Sequence, residues 1–139
     1  MPCLQLDVPQ HYPADVKRRL ARRLGDLFAD LMQTTPDKVT VIFRELGEGA
    51  VWRCGDGDPE PSAMLSCEVR RGRPPEQRAA LAQALADACI ETLGLRADRL
   101  SVEFTQHSGD ELFRPGRGWA ADWTPAEART PVSRGDQIH

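Results

Sequence analysis

Residues 2–24 read PCLQLDVPQHYPADVKRRLARRL, and residues 63–85 read AMLSCEVRRGRPPEQRAALAQAL. Each stretch opens one copy of a duplicated segment, and the copies, residues 2–46 and 63–107, align without a gap at an offset of 61 residues. The identical pairs include Leu4/Leu65, Val8/Val69, Leu20/Leu81, Ala21/Ala82, Leu24/Leu85, Asp26/Asp87, Asp37/Asp98, Val41/Val102 and Phe43/Phe104. An ungapped match of this length indicates an internal repeat.

The pattern within each copy predicts a strand, a helix and a second strand. Residues 3–8 alternate apolar and polar side chains, as a strand with one buried face does. A helix is expected from Ala14 to about Gln33, directly after Pro13, because proline is tolerated at the start of a helix and not inside it. Val39–Leu46 supplies the second strand. The corresponding elements of the second copy are expected at Met64–Arg70, Pro75–Leu93 and Leu100–Thr105, with Gly94 ending the helix.

Two such units predict an α+β fold. A right-handed βαβ unit places its two strands parallel to each other. Two tandem units then give a four-stranded sheet with pseudo-twofold symmetry and both helices on one face. The opposite face is left uncovered, and oligomerisation is the simplest way to bury it.

The length of 139 residues suits a single domain. We expect Trp119 and Trp123 to dock the end of the chain on a surface while about the last eight residues stay mobile. The parts of the domain are repeat 1 (2–46), a linker rich in Gly and Pro (47–62), repeat 2 (63–107) and a tail (108–139).

The charge of the chain argues against a nucleic-acid partner. The net charge is −3 and the pI is near 5.6. One basic run, Lys17 to Arg23, lies opposite the apolar positions of the first helix, which predicts a solvated helix face.

The cysteines predict neither a metal site nor disulfides. Cys3, Cys54, Cys67 and Cys89 show no C-x-x-C pair and no histidine spacing suited to zinc. We interpret them as reduced thiols. No segment before Pro2 could serve as a secretion signal, and no run approaches the roughly 18 apolar residues of a membrane helix. We therefore expect a cytoplasmic protein that does not bind membranes.

Pro2 is the first candidate for a catalytic group. Removal of Met1 would leave a secondary amine that can act as a base, an acid or a nucleophile, whereas its counterpart Ala63 cannot. The strand that follows would hold this amine in a fixed position, as acid–base catalysis requires.

Two arginines follow the third strand, Arg70 and Arg73, within VRRGRP at residues 69–74. Guanidinium groups bind carboxylates through two parallel hydrogen bonds, which favours a small organic anion as ligand. The sequence leaves open whether these arginines meet Pro2 across the pseudo-twofold axis or across a subunit interface.

The pattern over residues 2–107 resembles the tautomerase superfamily. The first half is similar to 4-oxalocrotonate tautomerase, whose short βαβ subunits form a hexamer, so a doubled chain is expected to form a homotrimer. The resemblance implies catalysis by Pro2 without a cofactor, Arg70 and Arg73 gripping a substrate carboxylate, and an aromatic wall for which Trp52 is the candidate.

Longer members of the superfamily supply further comparisons. Arg70 and Arg73 match the paired arginines of the cis-3-chloroacrylic acid dehalogenases, but Phe28, Glu103 and Arg114 replace the histidine, tyrosine and glutamate of those enzymes. The tail is similar to malonate semialdehyde decarboxylase, and the resemblance implies that Asp37 corresponds to its acidic residue before the second strand.

The pKa of the Pro2 amine decides which reaction is expected. Burial and nearby arginines would lower this pKa and make Pro2 a base, whereas a nearby carboxylate would raise it and make Pro2 an acid. Asp37 and Glu103 are the catalytic carboxylate candidates. We hypothesise that Glu103 points into the Pro2 pocket or pairs with an arginine there. Arg114 and His107 are further candidates for binding the substrate.

Three functions are therefore expected, in order. The first is a tautomerase, an isomerase that uses Pro2 as a general base on a small 2-oxo or enol carboxylic acid. The second keeps the site but uses Pro2 as an acid in hydration, dehalogenation or decarboxylation of a three-carbon acid. The third is a non-catalytic interaction protein on the same scaffold.

Overall fold

A four-stranded mixed sheet carries two long helices on one face in this computed structural model, which describes residues 2–129. The expectation about the last eight residues lies outside this range. The sheet strands are β1 (Cys3–Val8), β2 (Thr40–Glu45), β5 (Ala63–Arg70) and β6 (Leu100–His107), and the helices are α1 (Ala14–Leu31) and α2 (Pro75–Leu93). The predicted α+β architecture is confirmed.

The helix ends follow from local sequence. α1 begins directly after Pro13 and ends two residues earlier than predicted, where the Met32 N–H donates to Phe28 O. α2 has the predicted bounds. Gly94 ends it in the left-handed conformation, with φ at 70°, which a residue without a Cβ adopts at little cost.

The sheet order is β2-β1-β5-β6. Within each repeat the strands are parallel, β1 with β2 and β5 with β6, as the βαβ pattern predicts. Between the repeats β1 and β5 are antiparallel. Gln5 pairs with Ser66, which is its own counterpart at the repeat offset, so the pseudo-twofold axis passes between these two residues.

One core fills the space between the sheet and the helices. Alternate residues of the two central strands face α1 and α2, and burial of these apolar surfaces is the main stabilising term. Phe28 lies inside this core with 1% of its surface exposed. The core residues are Leu4, Leu6, Val8, Leu20, Leu24, Phe28, Met32, Ala63, Leu65, Cys67, Val69, Leu81, Leu85, Ala88, Cys89 and Leu93.

The other face of the sheet is covered by no helix of the described chain. Gln5 and Ser66 lie there half-buried at its centre, with the exposed side chains of Ile42 and Glu103 on the outer strands. The basic side chains Arg18, Arg19, Arg22 and Arg23 are exposed on α1, as predicted.

Two short hairpins extend the repeats. β3 (Trp52–Arg53) pairs with β4 (Glu60–Pro61) in the linker. In the tail, β7 (Phe113–Arg114) pairs with β8 (Gly118–Trp119), and α3 (Pro125–Arg129) follows.

The tail docks closely on the loop after β5. The Trp123 N–H donates to Arg71 O at 2.9 Å, and Trp123 is buried, whereas Trp119 is 61% exposed. A Cβ on Gly72 would lie 2.1 Å from Trp123 O, and a Cβ on Gly109 would lie 1.9 Å from the carbonyl carbon of Ala121. Docking by one of the two predicted tryptophans is therefore observed.

The four cysteines are free thiols in the structure. Burial raises the pKa of both Cys67 and Cys89 to about 12, so neither is a reactive thiolate at neutral pH. Within residues 2–129, no helix combines the length and hydrophobicity that crossing a bilayer requires.

Candidate active site

Pro2 lies at the start of β1 and is buried. Its carbonyl oxygen accepts a hydrogen bond from the Thr40 N–H at 3.0 Å, which ties it to β2. On the other side Cys3 pairs with Glu68 in the antiparallel β5, so the register places Pro2 next to Val69 and Arg70. The end of β5 therefore meets the start of β1 across the pseudo-twofold axis of a single chain.

Arg70 has polar partners on its guanidinium. Its side chain is 4% exposed. Nη1 donates to Ala121 O at 2.9 Å and to Glu127 Oε1 at 3.1 Å, and Nη2 donates to Glu127 Oε2 at 2.5 Å. Glu127 thus binds Arg70 through two parallel hydrogen bonds, the same geometry that a ligand carboxylate would use.

Arg73 supports the end of α1. Its Nε and Nη2 donate to Met32 O at 2.9 and 2.8 Å, and its guanidinium lies 5.1 Å from the ring centre of Trp123. Burial, and then the nearby Arg70, lowers the pKa of Arg73 to about 10, which still leaves it charged at neutral pH. These contacts give Arg73 a structural task that its sequence position did not indicate.

Lys38 is a buried amine at the same edge of the sheet. It ends a 3-10 helix, Pro36–Lys38, which Val39 connects to β2, and 1% of its surface is exposed. Burial, and then the charges of Arg117 and Arg114, lower the pKa of Lys38 to about 8, with Arg70 acting in the same direction. Asp37 opposes this shift.

The hairpin of the tail brings Arg114 to this cluster. Arg114 lies on β7 and Arg117 in the turn before β8. Both act electrostatically on Lys38, as Asp37 does from the turn before β2. Of the residues predicted from the sequence, Arg114 and Asp37 therefore lie with Arg70 near the start of β1.

His107 lies at the end of β6, opposite Arg70 in the register. Its Nε2 is hydrogen-bonded to Glu68, whose backbone pairs with Cys3. This puts the His107–Glu68 pair at the Pro2 end of the sheet, on the face away from the helices.

Two of the predicted residues lie away from Pro2 of the same chain. Glu103 pairs with Ser66 near the middle of the sheet, and its exposed side chain lies on the open face, away from Pro2. The hypothesis that Glu103 points into the Pro2 pocket is wrong within one chain. Trp52 lies in the hairpin beyond Val8, at the opposite end of β1, is 52% exposed, and donates from Nε1 to Gly49 O at 2.7 Å.

Comparison with solved structures shows which fold this arrangement shares. A structure of Pt0534 inactivated by 2-oxo-3-pentynoate has 24% sequence identity and a TM-score of 0.73 over 86% of this chain and 95% of that one. N1, a member of the cis-3-chloroacrylic acid dehalogenase family, has 20% identity and a TM-score of 0.75 over 86% and 84%. A symmetric trimer of fused 4-OT has 22% identity and a TM-score of 0.74 over 86% and 95%.

The chain has the fused tautomerase-like fold. The resemblance inferred from the repeat is confirmed at the level of the fold. No family model matches the sequence, and no curated protein matches it.

Within the fused tautomerase-like fold, two residues at this site were missed by the sequence reasoning. Lys38 could have been noticed because it is one of only two lysines among 18 basic residues and follows the candidate Asp37 directly. Glu127 carried no such signal, since it lies in a tail without periodicity. Only the folded tail brings it to Arg70.

Proposed function

We propose that the chain is a tautomerase-like enzyme that uses Pro2 as a general base on a small 2-oxo or enol carboxylic acid. The observation that carries this proposal is the antiparallel pairing of β1 and β5, which sets the start of β1 beside Arg70 in one chain. Lys38 and Arg114 lie near Arg70 and add positive charge. Such a cluster attracts an organic anion to the Pro2 nitrogen.

The same cluster supports a base rather than an acid. Burial and nearby cations both disfavour the protonated amine, whereas Glu68, whose charge acts on the adjacent Cys3, favours it. We expect burial and the cations to dominate and to lower the pKa of a free Pro2 nitrogen below the reference of about 7.7 to 8.0 for an α-amino group. The neutral amine takes the hydroxyl proton of a bound enol and returns it to C3. The C=C electron pair forms the new C–H bond, and the oxygen pair forms the C=O bond.

The arginines have separate tasks in this proposal. Arg70 binds the substrate carboxylate, which replaces the carboxylate of Glu127 on its guanidinium group. Arg73 acts as a positioning residue, because its two donors hold the end of α1 beside the site.

A homotrimer is part of the proposal. The open sheet face needs a cover, and the fused 4-OT structures with this fold are trimers. A neighbouring subunit would also supply the aromatic wall, because Trp52 lies at the far end of β1 in its own chain. Light scattering should give about three times the chain mass of 15.4 kDa; a monomeric mass would oppose this part.

The test uses two matched proline variants. The enol of phenylpyruvate loses its conjugated absorbance on ketonisation, which gives a direct assay. Pro2→Ala should lower kcat/KM by about 10²- to 10⁴-fold, the range for a lost acid–base group, with the circular dichroism spectrum unchanged. Pro9→Ala, just after β1, is the control and should retain activity. Full activity in Pro2→Ala would refute the proposal.

A covalent probe adds a readout that needs no known substrate. 2-Oxo-3-pentynoate, which inactivates Pt0534, carries an alkyne conjugated to a ketone. The neutral Pro2 nitrogen should add to the distal alkyne carbon while a proton is taken up at C3, so the whole reagent mass is retained. Peptide mass spectrometry should find the adduct on residue 2 of a chain without Met1. Labelling elsewhere, with Pro2 unmodified, would count against a reactive amine.

A further inference from the structure

Lys38 is a buried amine that the proton transfer by Pro2 does not use. Only 1% of its surface is exposed, which is unusual for lysine. Its backbone is fixed on both sides, because the Lys38 N–H donates to Thr35 O at 3.2 Å and the Val39 N–H donates to Pro36 O at 3.0 Å. A lysine held in this way has a defined position at the sheet edge.

That position is close to the Pro2 nitrogen. The Thr40 N–H donates to Pro2 O, and Lys38 lies two residues before Thr40, on the nitrogen side of Pro2. Arg70 reaches the same level from the other side of β1, since Cys3 pairs with Glu68 two residues earlier. The backbones of Lys38 and Arg70 therefore lie on opposite sides of Pro2, beyond its nitrogen.

Three arginines act electrostatically on Lys38 from the surrounding elements. They are Arg70, Arg114 and Arg117. Of the carboxylates near this cluster, Asp37 acts on Lys38, Glu127 is paired with Arg70, and Glu68 is paired with His107 at the same end of the sheet. A group of cations at this position favours an anion or an oxygen that gains negative charge.

The two repeats carry different residues at the position of Lys38, just as they do at the position of Pro2. The repeat offset matches Lys38 with Arg99, just as it matches Pro2 with Ala63. Arg99 is 26% exposed and forms an ion pair with Glu60. Only the half with the amino-terminal proline therefore carries a buried lysine at this turn.

We propose that Lys38 is a second catalytic residue of the Pro2 site, whose ammonium group hydrogen-bonds the C2 oxygen of the substrate and stabilises the enolate. This inference rests on the proposed function and deepens it. When Pro2 takes the enol proton, the O–H electron pair stays on the oxygen, and Lys38 stabilises that charge until C3 is protonated. Lys38 keeps its own proton throughout, so it must be charged for each turnover.

The first test measures the titration of the Lys38 amine and does not depend on catalysis. The chain has two lysines, so protein labelled with carbon-13 at the lysine Cε gives two side-chain signals, with Lys17 as internal control. Lys38 should titrate near 8. Oxamate, a 2-oxo acid analogue that cannot enolise, should raise the midpoint of Lys38 and leave Lys17 unchanged, because a bound anion favours the charged amine. A Lys38 signal that oxamate leaves unmoved would overturn the proposal.

The second test measures how Lys38 variants change the rate of the reaction. Lys38→Met should lower kcat by about 10²- to 10³-fold, as loss of a donor to a developing oxyanion does, while Lys17→Met retains activity. In the wild type, kcat/KM should fall as the pH rises through about 8, because Lys38 loses its proton there. In Lys38→Arg this fall should move above the accessible pH range, because the arginine stays charged. If kcat/KM of Lys38→Arg still fell near pH 8, the assignment would be contradicted.

These tests separate the two proposals. Suppose that oxamate does not raise the midpoint of Lys38 and that Pro2→Ala is inactive. The role of Lys38 would then be refuted, and the proposed tautomerase activity would stand. Full ketonisation by Pro2→Ala would remove the tautomerase, while the lysine titration with oxamate would still show whether Lys38 binds an anion.

Discussion

Arg70 and Glu127 form a two-point ion pair across 57 residues of sequence, with Nη2 to Oε2 at 2.5 Å and Nη1 to Oε1 at 3.1 Å. The pair joins the end of β5 to α3. The Arg70 side chain is 4% exposed and that of Glu127 is 30% exposed. The tail thus places a carboxylate of the protein on the arginine that the sequence assigns to a ligand carboxylate.

Removal of the Glu127 charge should strengthen substrate binding. In Glu127→Gln, Arg70 loses its competing carboxylate, so KM for a 2-oxo acid should fall by about tenfold, equivalent to about 1.4 kcal/mol. Steady-state kinetics measures this. Glu76→Gln, exposed in the first turn of α2, is the control. An unchanged or higher KM in Glu127→Gln would show that Glu127 does not compete with the ligand.

The close approach of the tail to Gly109 should make that position intolerant of a side chain. A methyl group there would lie 1.9 Å from Ala121, so Gly109→Ala should displace the tail and expose Trp123. In a Trp52→Phe, Trp119→Phe background, the emission of Trp123 should shift to the red. Gly55→Ala, with no atom within 4 Å of the added carbon, should leave the emission unchanged. An unshifted spectrum in Gly109→Ala would mean that the tail is not held at this point.

Arg73→Lys should affect stability more than catalysis. Lysine keeps the charge but loses the fork that donates twice to Met32 O, so the free energy of unfolding should fall by about 1 to 3 kcal/mol. Below the unfolding transition, kcat/KM should stay within about threefold, a change of under 1 kcal/mol. Arg71→Lys, at an exposed side chain, is the control. A large loss of kcat/KM at unchanged stability would make Arg73 a direct substrate ligand instead.

Lys38→Met should stabilise the fold at neutral pH. The pKa of Lys38 is about 8 when folded and 10.5 in the reference state, so the folded chain binds fewer protons between these values and wild-type stability rises with pH across that window. The variant lacks this dependence. Its advantage should be about 1 to 3 kcal/mol below pH 8 and should disappear towards pH 10.5.

Urea unfolding at pH 7, 9 and 10 measures this prediction. Lys17→Met, which removes a surface ion pair with Glu45, should show no gain at pH 7. A Lys38→Met advantage that stays constant with pH would mean that the amine is not destabilised by burial.

The repeat allowed most of the sheet and both long helices to be predicted. Period-two and helical spacings are local properties, so β1 and α2 agree with the sequence at both ends. The antiparallel contact between β1 and β5 is a relation between the copies, and no local pattern encodes it. For that reason the sequence left open how Arg70 meets Pro2.

The site was predicted in part for a similar reason. Pro2, Arg70 and Arg114 carry chemistry that is visible in their residue types. The burial of Lys38 and the pairing of Glu127 depend on how the tail folds over the sheet edge, and the tail has no periodicity from which to predict it. Glu103 looked unusual because it lies between Val102 and Phe104, but the strand alternation turns it to the open face, away from the core.

A nitrogen-15 NMR titration of Pro2 in proline-labelled protein tests whether this residue is a free amine that acts as a base. It reads removal of Met1 and the proton affinity of the amine together. We predict a titrating secondary amine with a midpoint below about 7.5, under the free α-amino reference. A midpoint above about 8.5 would contradict the base and support the acid chemistry. Absence of any titrating amine would leave the scaffold without its proposed catalyst.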